Sequence, residues 1–188
     1  MTTGAGDRGD TFLLSGERVA KDCLRIEACG YVDELVATLG VARAAASLPS
    51  LQRELLALQQ ALFIVGAELS ATPDGRRRWR HRMDARRVKA LAARCGALEK
   101  KLPPPRGFVI PGATLAEAYL HLARAVARRC ECRAVALARR NEIANPHLLA
   151  WLNRLSYALW LLARLAGESP RAACRKGSAG KRRGNSGS

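Results

Sequence analysis

The stretch TLAEAYLHLARAVARRCECRAVALARRN, Thr114–Asn141, predicts the longest helix of the chain. Thr114 and Glu117 are three residues apart, the spacing of a capping box in which two side chains satisfy free backbone N–H groups at a helix start. Neither glycine nor proline interrupts the residues that follow. We therefore expect an α-helix of about 28 residues, whose apolar side must be covered by other helices.

Four further segments show helical patterns. The segment before Pro49 has apolar residues at steps of three and four, which makes one continuous stripe. Asp84 is a good N-cap for a third helix, and Asn145 followed by Pro146 marks the start of the fifth. The four segments are 22–48, 50–71, 84–102 and 145–167. With no strand pattern in the sequence, we expect an all-α fold, a five-helix bundle in a ferritin-like up-down arrangement.

Three regions follow from this pattern. Residues 22–167 are predicted to form the bundle domain. Residues 1–21 are rich in glycine and polar residues, and we expect a phosphate-binding loop there with one short extended piece. Residues 168–188 are predicted to be a disordered basic tail, because glycine, serine and six basic residues leave too little apolar surface to fold.

The composition narrows the classes of function. The formal net charge is +16, which indicates anionic partners such as phosphates, nucleic acid or acidic lipid. No apolar stretch reaches about 18 uncharged residues, so no membrane-spanning helix is expected. No secretory signal pattern is visible, so we expect a cytoplasmic protein whose six cysteines are reduced thiols. Their spacings fit no zinc pattern.

Five residues of the fourth helix share one side, which we call the charged face. They follow steps of four, three, four and three: Glu117, His121, Arg124, Arg128 and Glu131. Clustered guanidinium groups repel one another unless an anion or carboxylates lie nearby. Two interpretations stay open: a surface that binds a strongly anionic ligand, with Arg129 at its side, or ion pairs to the first helix at Asp33 or Glu34. His121 alone is typical of a packed, hydrogen-bonded residue.

The N-terminal loop is a second candidate site for an anion. Gly4, Gly6 and Gly9 permit backbone conformations in which successive N–H groups point at one anion. Asp7 can order such a loop, and Lys21 can reach phosphate oxygens. The loop lacks the ending of a Walker A motif, and a flexible glycine-rich terminus is the alternative.

Two positions elsewhere are further candidates. Asn153 interrupts an apolar helix, and on its buried side an amide must be hydrogen-bonded, either to a neighbouring helix or to a purine edge or ribose. Phe108, Val109 and Ile110 form an apolar rim before the fourth helix. Such a rim is either a contact surface for a partner or flat ligand, or a loop packed against the bundle.

Several motifs in fixed order match one family. They are TGxGDxGxT near the start, GERVAKDCLRIEACGYVDEL at 16–35, LFIVGAEL at 62–69, FVIPGA at 108–113, LHLARAVARRCECR at 120–133, and LNRLS with LWLLAR at 152–164. Together they cover roughly residues 3 to 165. The sequence resembles the ATP:cob(I)alamin adenosyltransferases of the propanediol-utilisation type.

The resemblance implies a fold and an activity. It implies a homotrimer of five-helix bundles with active sites between subunits, which transfers the adenosyl group of ATP to the cobalt of reduced cobalamin and releases triphosphate. Magnesium is expected with the triphosphate, and potassium is a further candidate cation. A flavoprotein-type reductase and an adenosylcobalamin-dependent enzyme are the implied partners, with no specific nucleic acid and no membrane.

The resemblance also implies roles for individual residues. Asp33 and Arg124 resemble the two partners of the family's inter-subunit salt bridge. Arg128 resembles the principal arginine that binds ATP. Glu131 resembles a residue that lies near the metal (a magnesium ion) or near the ribose. Phe108 resembles the aromatic residue that faces the corrin and excludes its lower base. The implied ATP-binding residues are Thr3, Gly4, Gly6, Asp7, Gly9, Lys21, Arg128 and Asn153.

This chain departs from the family pattern at several positions. Cys132 stands where an arginine is usual, Tyr157 where an acid is usual, and Val36 where a polar residue is usual. A thiol cannot make the bidentate contacts of a guanidinium. Two alternatives to an active enzyme therefore stay open: a family member that has lost catalysis and serves as a corrinoid or nucleotide carrier or sensor, and a basic helical protein that binds nucleic acid.

Overall fold

Five α-helices and one β-hairpin make up the part of the chain that the computed structural model describes, residues 4, 6–72, 82–105 and 107–168. The helices are α1 Leu24–Ala45, α2 Pro49–Leu69, α3 Ala85–Glu99, α4 Leu115–Arg139 and α5 Pro146–Gly167. The expected all-α bundle is confirmed. No helix in the described ranges is long and apolar enough to cross a membrane.

The expectation that the chain holds no strands is wrong in one place. Strands β1 Asp10–Phe12 and β2 Arg18–Ala20 pair antiparallel, with Thr11 opposite Val19. Both strands have three residues, and an ion pair of 2.7 Å between Arg18 and Asp10 joins them across the hairpin. The short extended piece expected in the N-terminal loop is therefore a hairpin.

Three helices begin where their capping residues predict. The Thr114 hydroxyl accepts from the Glu117 N–H at 3.1 Å, and Asp84 accepts from the Arg87 N–H at 2.8 Å. Asn145 accepts from the N–H of His147 at 3.0 Å, with Pro146 in the first helical position. The fourth helix spans 25 residues. The first helix starts at Leu24, two residues after the predicted start, and its N-cap side chain makes no capping bond.

The core lies where α4 packs between α1 and α5. Its centre consists of fully buried aliphatic side chains, and burying each leucine stabilises the fold by roughly 1.5–3 kcal/mol. α2 packs on α1, and α3 packs on α5. α2 carries an apolar stripe at steps of three and four residues, and the stripe is buried at every position: Leu55, Leu58, Leu62, Val65 and Leu69.

Arg25 is a buried cation that ties three segments together. Its Nη1 atom donates to the carbonyls of Leu69 at 2.7 Å and Ala71 at 3.0 Å. Its Nη2 atom donates to the carbonyl and the Oε2 atom of Glu142, both at 3.0 Å. The start of α1, the end of α2 and the α4–α5 connection are thus held by one guanidinium.

Glu68 performs a similar task near the other end of the same connection. This buried carboxylate accepts from the Asn145 side-chain amide at 2.8 Å and from the Met83 N–H. Asn145 also donates to the Met83 carbonyl at 2.8 Å. The start of α5 is therefore fixed to the segment that precedes α3.

Candidate functional site

Packing divides the arginines of α4 into two groups. Arg129 lies 2.8 Å from Glu34 and Arg133 lies 2.8 Å from Glu27, so both are paired with carboxylates of α1. Arg124 and Arg128 form no ion pair with any described residue. Ion pairing to α1 thus accounts for the arginines at the side of the charged face, and it leaves those on the charged face available.

The predicted charged face exists and runs from buried to exposed. Glu117 and His121 are buried, Arg124 and Glu131 are half-buried, and Arg128 is exposed. The Nε atom of Arg124 is buried without a hydrogen-bond partner among the described residues. The guanidinium groups of Arg124 and Arg128 thus lie one turn apart on one side of α4, which suits a multiply charged anion.

His121 is packed, as its sequence context predicts. Its Nε2 atom lies 3.1 Å from Oε1 of Glu117, although the two groups are not aligned for a regular hydrogen bond. Burial lowers the pKa of His121; the Glu117 carboxylate opposes this shift and the Arg124 guanidinium adds to it. The imidazole is therefore predominantly neutral near pH 7.

Asp33 and Arg124 do not meet within one chain. Asp33 is exposed on α1 and forms no ion pair with another described residue. The implied salt bridge, if formed, must therefore join two copies of the chain. Each copy offers both halves, an exposed carboxylate and a half-buried guanidinium.

The N-terminal loop folds back on Lys21. The Lys21 ammonium donates to the Gly6 carbonyl at 2.8 Å, and the Lys21 N–H donates to the Gly9 carbonyl at 2.8 Å. Gly4 and Gly9 have φ of 99° and 84°, which favours glycine. A Cβ on Gly6 would lie 2.7 Å from the Lys21 ammonium, so a side chain there would require the ammonium to move.

The other loop residues divide between exposed positions and positions that are not described. Asp7 is exposed, and its N–H donates to the Gly4 carbonyl at 3.1 Å. Thr3 lies outside the described residues. No hydrogen bond or ion pair between described residues joins this loop to Arg124 or Arg128. The described residues of the two predicted halves of the ATP site are therefore not linked by polar contacts within one chain.

The structure excludes one of the two interpretations of Asn153, the inter-helix hydrogen bond. It is exposed on α5, and its side chain makes no hydrogen bond to another described residue. The buried side of α5 is formed instead by residues such as Leu152 and Leu155, with Asn153 and Arg154 turned outward. The Asn153 amide is therefore not an inter-helix bond of this chain, and it is free for an external ligand.

Phe108 lies at the tip of an exposed loop, residues 107–113, which we call the Phe108 loop. Phe108 is 105% exposed and Ile110 is 87% exposed, so the rim is not packed against the bundle. Beside the loop is a cavity of about 570 Å³ lined by Val109, Glu117 and Arg164 among others. The apolar rim is therefore open to a partner or a flat ligand.

Two of the departures from the family pattern occupy different surroundings. Cys132 is exposed on α4 and is a free thiol. Tyr157 donates to Glu99 at 2.6 Å and stacks on Trp160 with ring centroids 5.7 Å apart. The hydrogen bond to Glu99 raises the pKa of the Tyr157 phenol. Tyr157 thus has a structural role of its own.

The donor set for a divalent cation is small. The described residues contain no cluster of three or more His, Cys, Asp or Glu side chains suited to a metal ion. A magnesium ion that accompanies a polyphosphate needs only one or two carboxylates, because phosphate oxygens and water supply the other ligands. Glu131, half-buried and one turn from Arg128, is compatible with that role.

The fold and the site define a five-helix bundle with two available arginines for a polyanion and an exposed aromatic loop for an apolar ligand. The model of the cobalamin adenosyltransferase family matches residues 1–166. The chain therefore belongs to the cobalamin adenosyltransferase family.

Individual relatives agree with this assignment. The chain is 39% identical to a corrinoid adenosyltransferase of Citrobacter freundii over 89% of this chain and 95% of the relative. It is 36% identical to a corrinoid adenosyltransferase of Bacillus subtilis over 88% and 85% of the two chains. It also resembles a solved variant of the PduO-type ATP:corrinoid adenosyltransferase from Lactobacillus reuteri, complexed with cobalamin and ATP. That structure has a TM-score of 0.80 and 30% identity, with 88% of this chain and 92% of that chain covered.

Proposed function

We propose that this protein transfers the adenosyl group of ATP to the cobalt of cob(I)alamin, with release of triphosphate. The observation that carries the proposal is the pair of guanidinium groups, Arg124 and Arg128, which no described carboxylate neutralises in a chain of this family. ATP brings about four negative charges, and binding them offsets the repulsion within the pair.

The reaction needs no nucleophile from the protein. The cobalt of cob(I)alamin attacks the ribose 5′-carbon, so a cobalt–carbon bond forms while the bond from that carbon to the triphosphate oxygen breaks. The triphosphate leaves with the bonding electron pair. The tasks of the chain are therefore to hold ATP in line with the cobalt and to stabilise the charge that builds on the leaving group.

Arg128 is the principal group for the leaving triphosphate in this proposal. It is exposed, and it lies between half-buried Arg124 and half-buried Glu131 on the same side of α4. The N-terminal loop, with Gly4, Gly6, Asp7, Gly9 and Lys21, would add N–H groups and an ammonium. A bound magnesium ion would neutralise part of the polyphosphate charge, and Glu131 is the residue that would hold it.

We further propose a homotrimer in which each ATP site combines two chains. Two observations support it: among the described residues of one chain, no hydrogen bond or ion pair joins the N-terminal loop to the arginine pair, and neither exposed Asp33 nor half-buried Arg124 forms an ion pair. Asp33 of a neighbouring copy would pair with the Arg124 guanidinium. A charge-assisted bond to a half-buried guanidinium would stabilise the assembly.

Phe108 and Asn153 complete the proposed site. Phe108 would face the corrin ring and displace its lower base, which makes the cobalt easier to reduce. Asn153 would bind the nucleoside through its free amide. The electron for reduction would come from a flavoprotein-type reductase in the cytoplasm, and an adenosylcobalamin-dependent enzyme would use the product.

A single-turnover experiment tests the proposal. The protein is incubated with ATP, magnesium and chemically reduced cobalamin, and the visible spectrum is followed. We expect the spectrum of adenosylcobalamin to appear, with one triphosphate released for each cobalt alkylated. ATP binding without adenosylcobalamin formation would favour a carrier or sensor instead.

A further inference from the structure

A buried carboxylate holds the base of the Phe108 loop. Glu117 is 2% exposed, and its Oε2 atom accepts from the N–H groups of Gly112 at 2.6 Å and Ala113 at 3.0 Å. Both donors belong to the loop, whereas Glu117 belongs to the first turn of α4. The carboxylate therefore fixes the end of the loop relative to the helix that carries Arg124.

This contact differs from an ordinary capping box. In a capping box the acid at the third helical position bonds to the N–H of the N-cap residue, here Thr114. In this chain the Thr114 hydroxyl accepts from the Glu117 N–H, but the described bonds of the Glu117 carboxylate go to Gly112 and Ala113. The side chain thus reaches past the helix start into the loop.

A second anchor holds the chain on the other side of Phe108. Arg164 of α5 donates to the Pro103 carbonyl, and its guanidinium lies 5.0 Å from the centroid of the Trp160 ring. The two anchors precede and follow the tip of the loop in sequence. Because Phe108 itself has no packing contact that buries it, its position depends on these anchors.

The backbone next to the tip cannot replace the anchors. Gly107 and Gly112 have φ of 121° and 120°, a region in which glycine has wide conformational freedom. A loop that turns at two glycines is held only weakly by its own backbone preferences. The hydrogen bonds to Glu117 therefore supply the order that the loop sequence lacks.

The other oxygen of Glu117 faces away from the loop. Its Oε1 atom lies 3.1 Å from Nε2 of His121, which is 7% exposed. No described arginine or lysine forms an ion pair with Glu117. The loop N–H groups and His121 are thus the polar neighbours that retain this carboxylate in the interior.

We propose that Glu117 is a positioning residue for the corrinoid: its carboxylate sets where Phe108 stands relative to α4, and so where the corrin meets the nucleotide. This role rests on the proposed function, in which Phe108 faces the corrin. In this role Glu117 acts through the Phe108 loop, so its loss should change the corrinoid step and leave ATP affinity nearly unchanged.

Three substitutions test the role. Glu117→Gln keeps the length and one acceptor oxygen, Glu117→Asp keeps the charge but shortens the reach, and Glu117→Ala removes both. The readouts are the yield of four-coordinate cob(II)alamin in the presence of ATP, by electron paramagnetic resonance, and the Kd for ATP. We expect the yield to fall at least tenfold for Asp and Ala and about threefold for Gln, with each Kd within twofold of wild type.

The control is Glu168→Gln, which makes the same charge change beside the same cavity. The Glu168 carboxylate accepts no backbone hydrogen bond from a described residue, so its substitution should leave the yield unchanged. An unchanged yield in Glu117→Asp, or an equal loss of ATP affinity in all three variants, would overturn the positioning role. The Gln and Asp comparison decides the matter even when the Ala variant does not fold.

A second readout does not depend on catalysis. Arg106 precedes Gly107, so trypsin cleavage after Arg106 reports how firmly the Phe108 loop is held. We expect Glu117→Asp to raise the rate of this cleavage at least fivefold, and Glu168→Gln to leave it unchanged. If wild type formed no adenosylcobalamin but Glu117→Asp were still cleaved faster than wild type, the proposed function would be wrong and the role of Glu117 in holding the loop would be supported. An equal cleavage rate in wild type and Glu117→Asp would remove the anchor itself.

Discussion

The Arg129 guanidinium lies 2.8 Å from the Glu34 carboxylate, and its Cζ atom is 5.3 Å from the centroid of the Tyr31 ring. The adjacent residue, Arg128, has neither kind of contact among the described residues. Two neighbouring arginines of one helix therefore differ in their electrostatic state. One is committed to α1, and the other is available for a ligand.

Replacing these two arginines separately should give opposite results. Arg128→Ala should lower kcat/KM for ATP about 100-fold, because a charge-assisted contact to the leaving group is lost. Arg129→Ala should change kcat/KM less than about threefold and cost at most about 1 kcal/mol of stability, since an exposed pair contributes little. Steady-state kinetics and thermal unfolding of both variants check this. Equal losses of activity would contradict the division.

Phe108→Ala should separate cobalt reduction from adenosyl transfer. Because the ring is fully exposed, the free energy of unfolding of the variant should lie within about 0.5 kcal/mol of the wild-type value. We expect the rate of adenosylcobalamin formation to fall at least tenfold when the assay starts from cob(II)alamin and a reductant. The rate should fall much less when the assay starts from chemically prepared cob(I)alamin. Parallel assays from the two oxidation states measure the difference. The same loss in both assays would argue against a role in reduction.

Arg25→Met should weaken the fold far more than an exposed arginine substitution. The change removes the hydrogen bonds from the buried guanidinium to the carbonyls of Leu69 and Ala71 and its ion pair with Glu142, and we expect a loss of about 3 kcal/mol. Arg18→Met, which breaks an exposed pair with Asp10, should cost below about 1 kcal/mol. Urea unfolding at one protein concentration gives both values. A small effect at Arg25 would mean that water replaces the guanidinium.

His121 should make stability depend on pH on the acidic side of neutrality. Its folded pKa is lowered from 6.5, mainly by burial, so the unfolded chain takes up the proton first as the pH falls. The contribution of neutral His121 is present above about pH 6.5 and is lost as the pH falls through the folded pKa. Between pH 7.5 and about pH 5, the free energy of unfolding should change less steeply with pH in His121→Gln than in wild type. His147→Gln, at an exposed site, is the control and should keep the wild-type slope.

The parts of the fold with local causes were predictable from the sequence. The capping residues Thr114, Asp84 and Asn145 mark helix starts that the structure reproduces, because each acts on N–H groups two or three residues away. The hairpin was missed because strands of three residues are too short to show alternation. The spacing of the charged face was also predictable, since it depends only on the helical period.

The parts with distant causes were not predictable. Arg25 binds partners 44 to 117 residues away, so only the packing of the helices brings these groups together. The pair of Arg129 with Glu34 was one of the two interpretations that the sequence left open, and only the packing decides between them. Of the two alternatives for Asn153, its apolar neighbours favoured a buried inter-helix bond, and the structure excludes that one. The helix in fact turns Asn153 outward, opposite Leu152 and Leu155.

The bond between Tyr157 and Glu99 alters how the unusual residues of this chain should be compared with its family. An acid at position 157 would face the Glu99 carboxylate and repel it, whereas the phenol donates to it at 2.6 Å. Residues 99 and 157 are thus mutually compatible, and an acid at position 157 would lose this bond. A loss of stability or activity after Tyr157→Asp alone would therefore report the broken bond to Glu99, and it would not by itself assign a catalytic role to an acid at position 157.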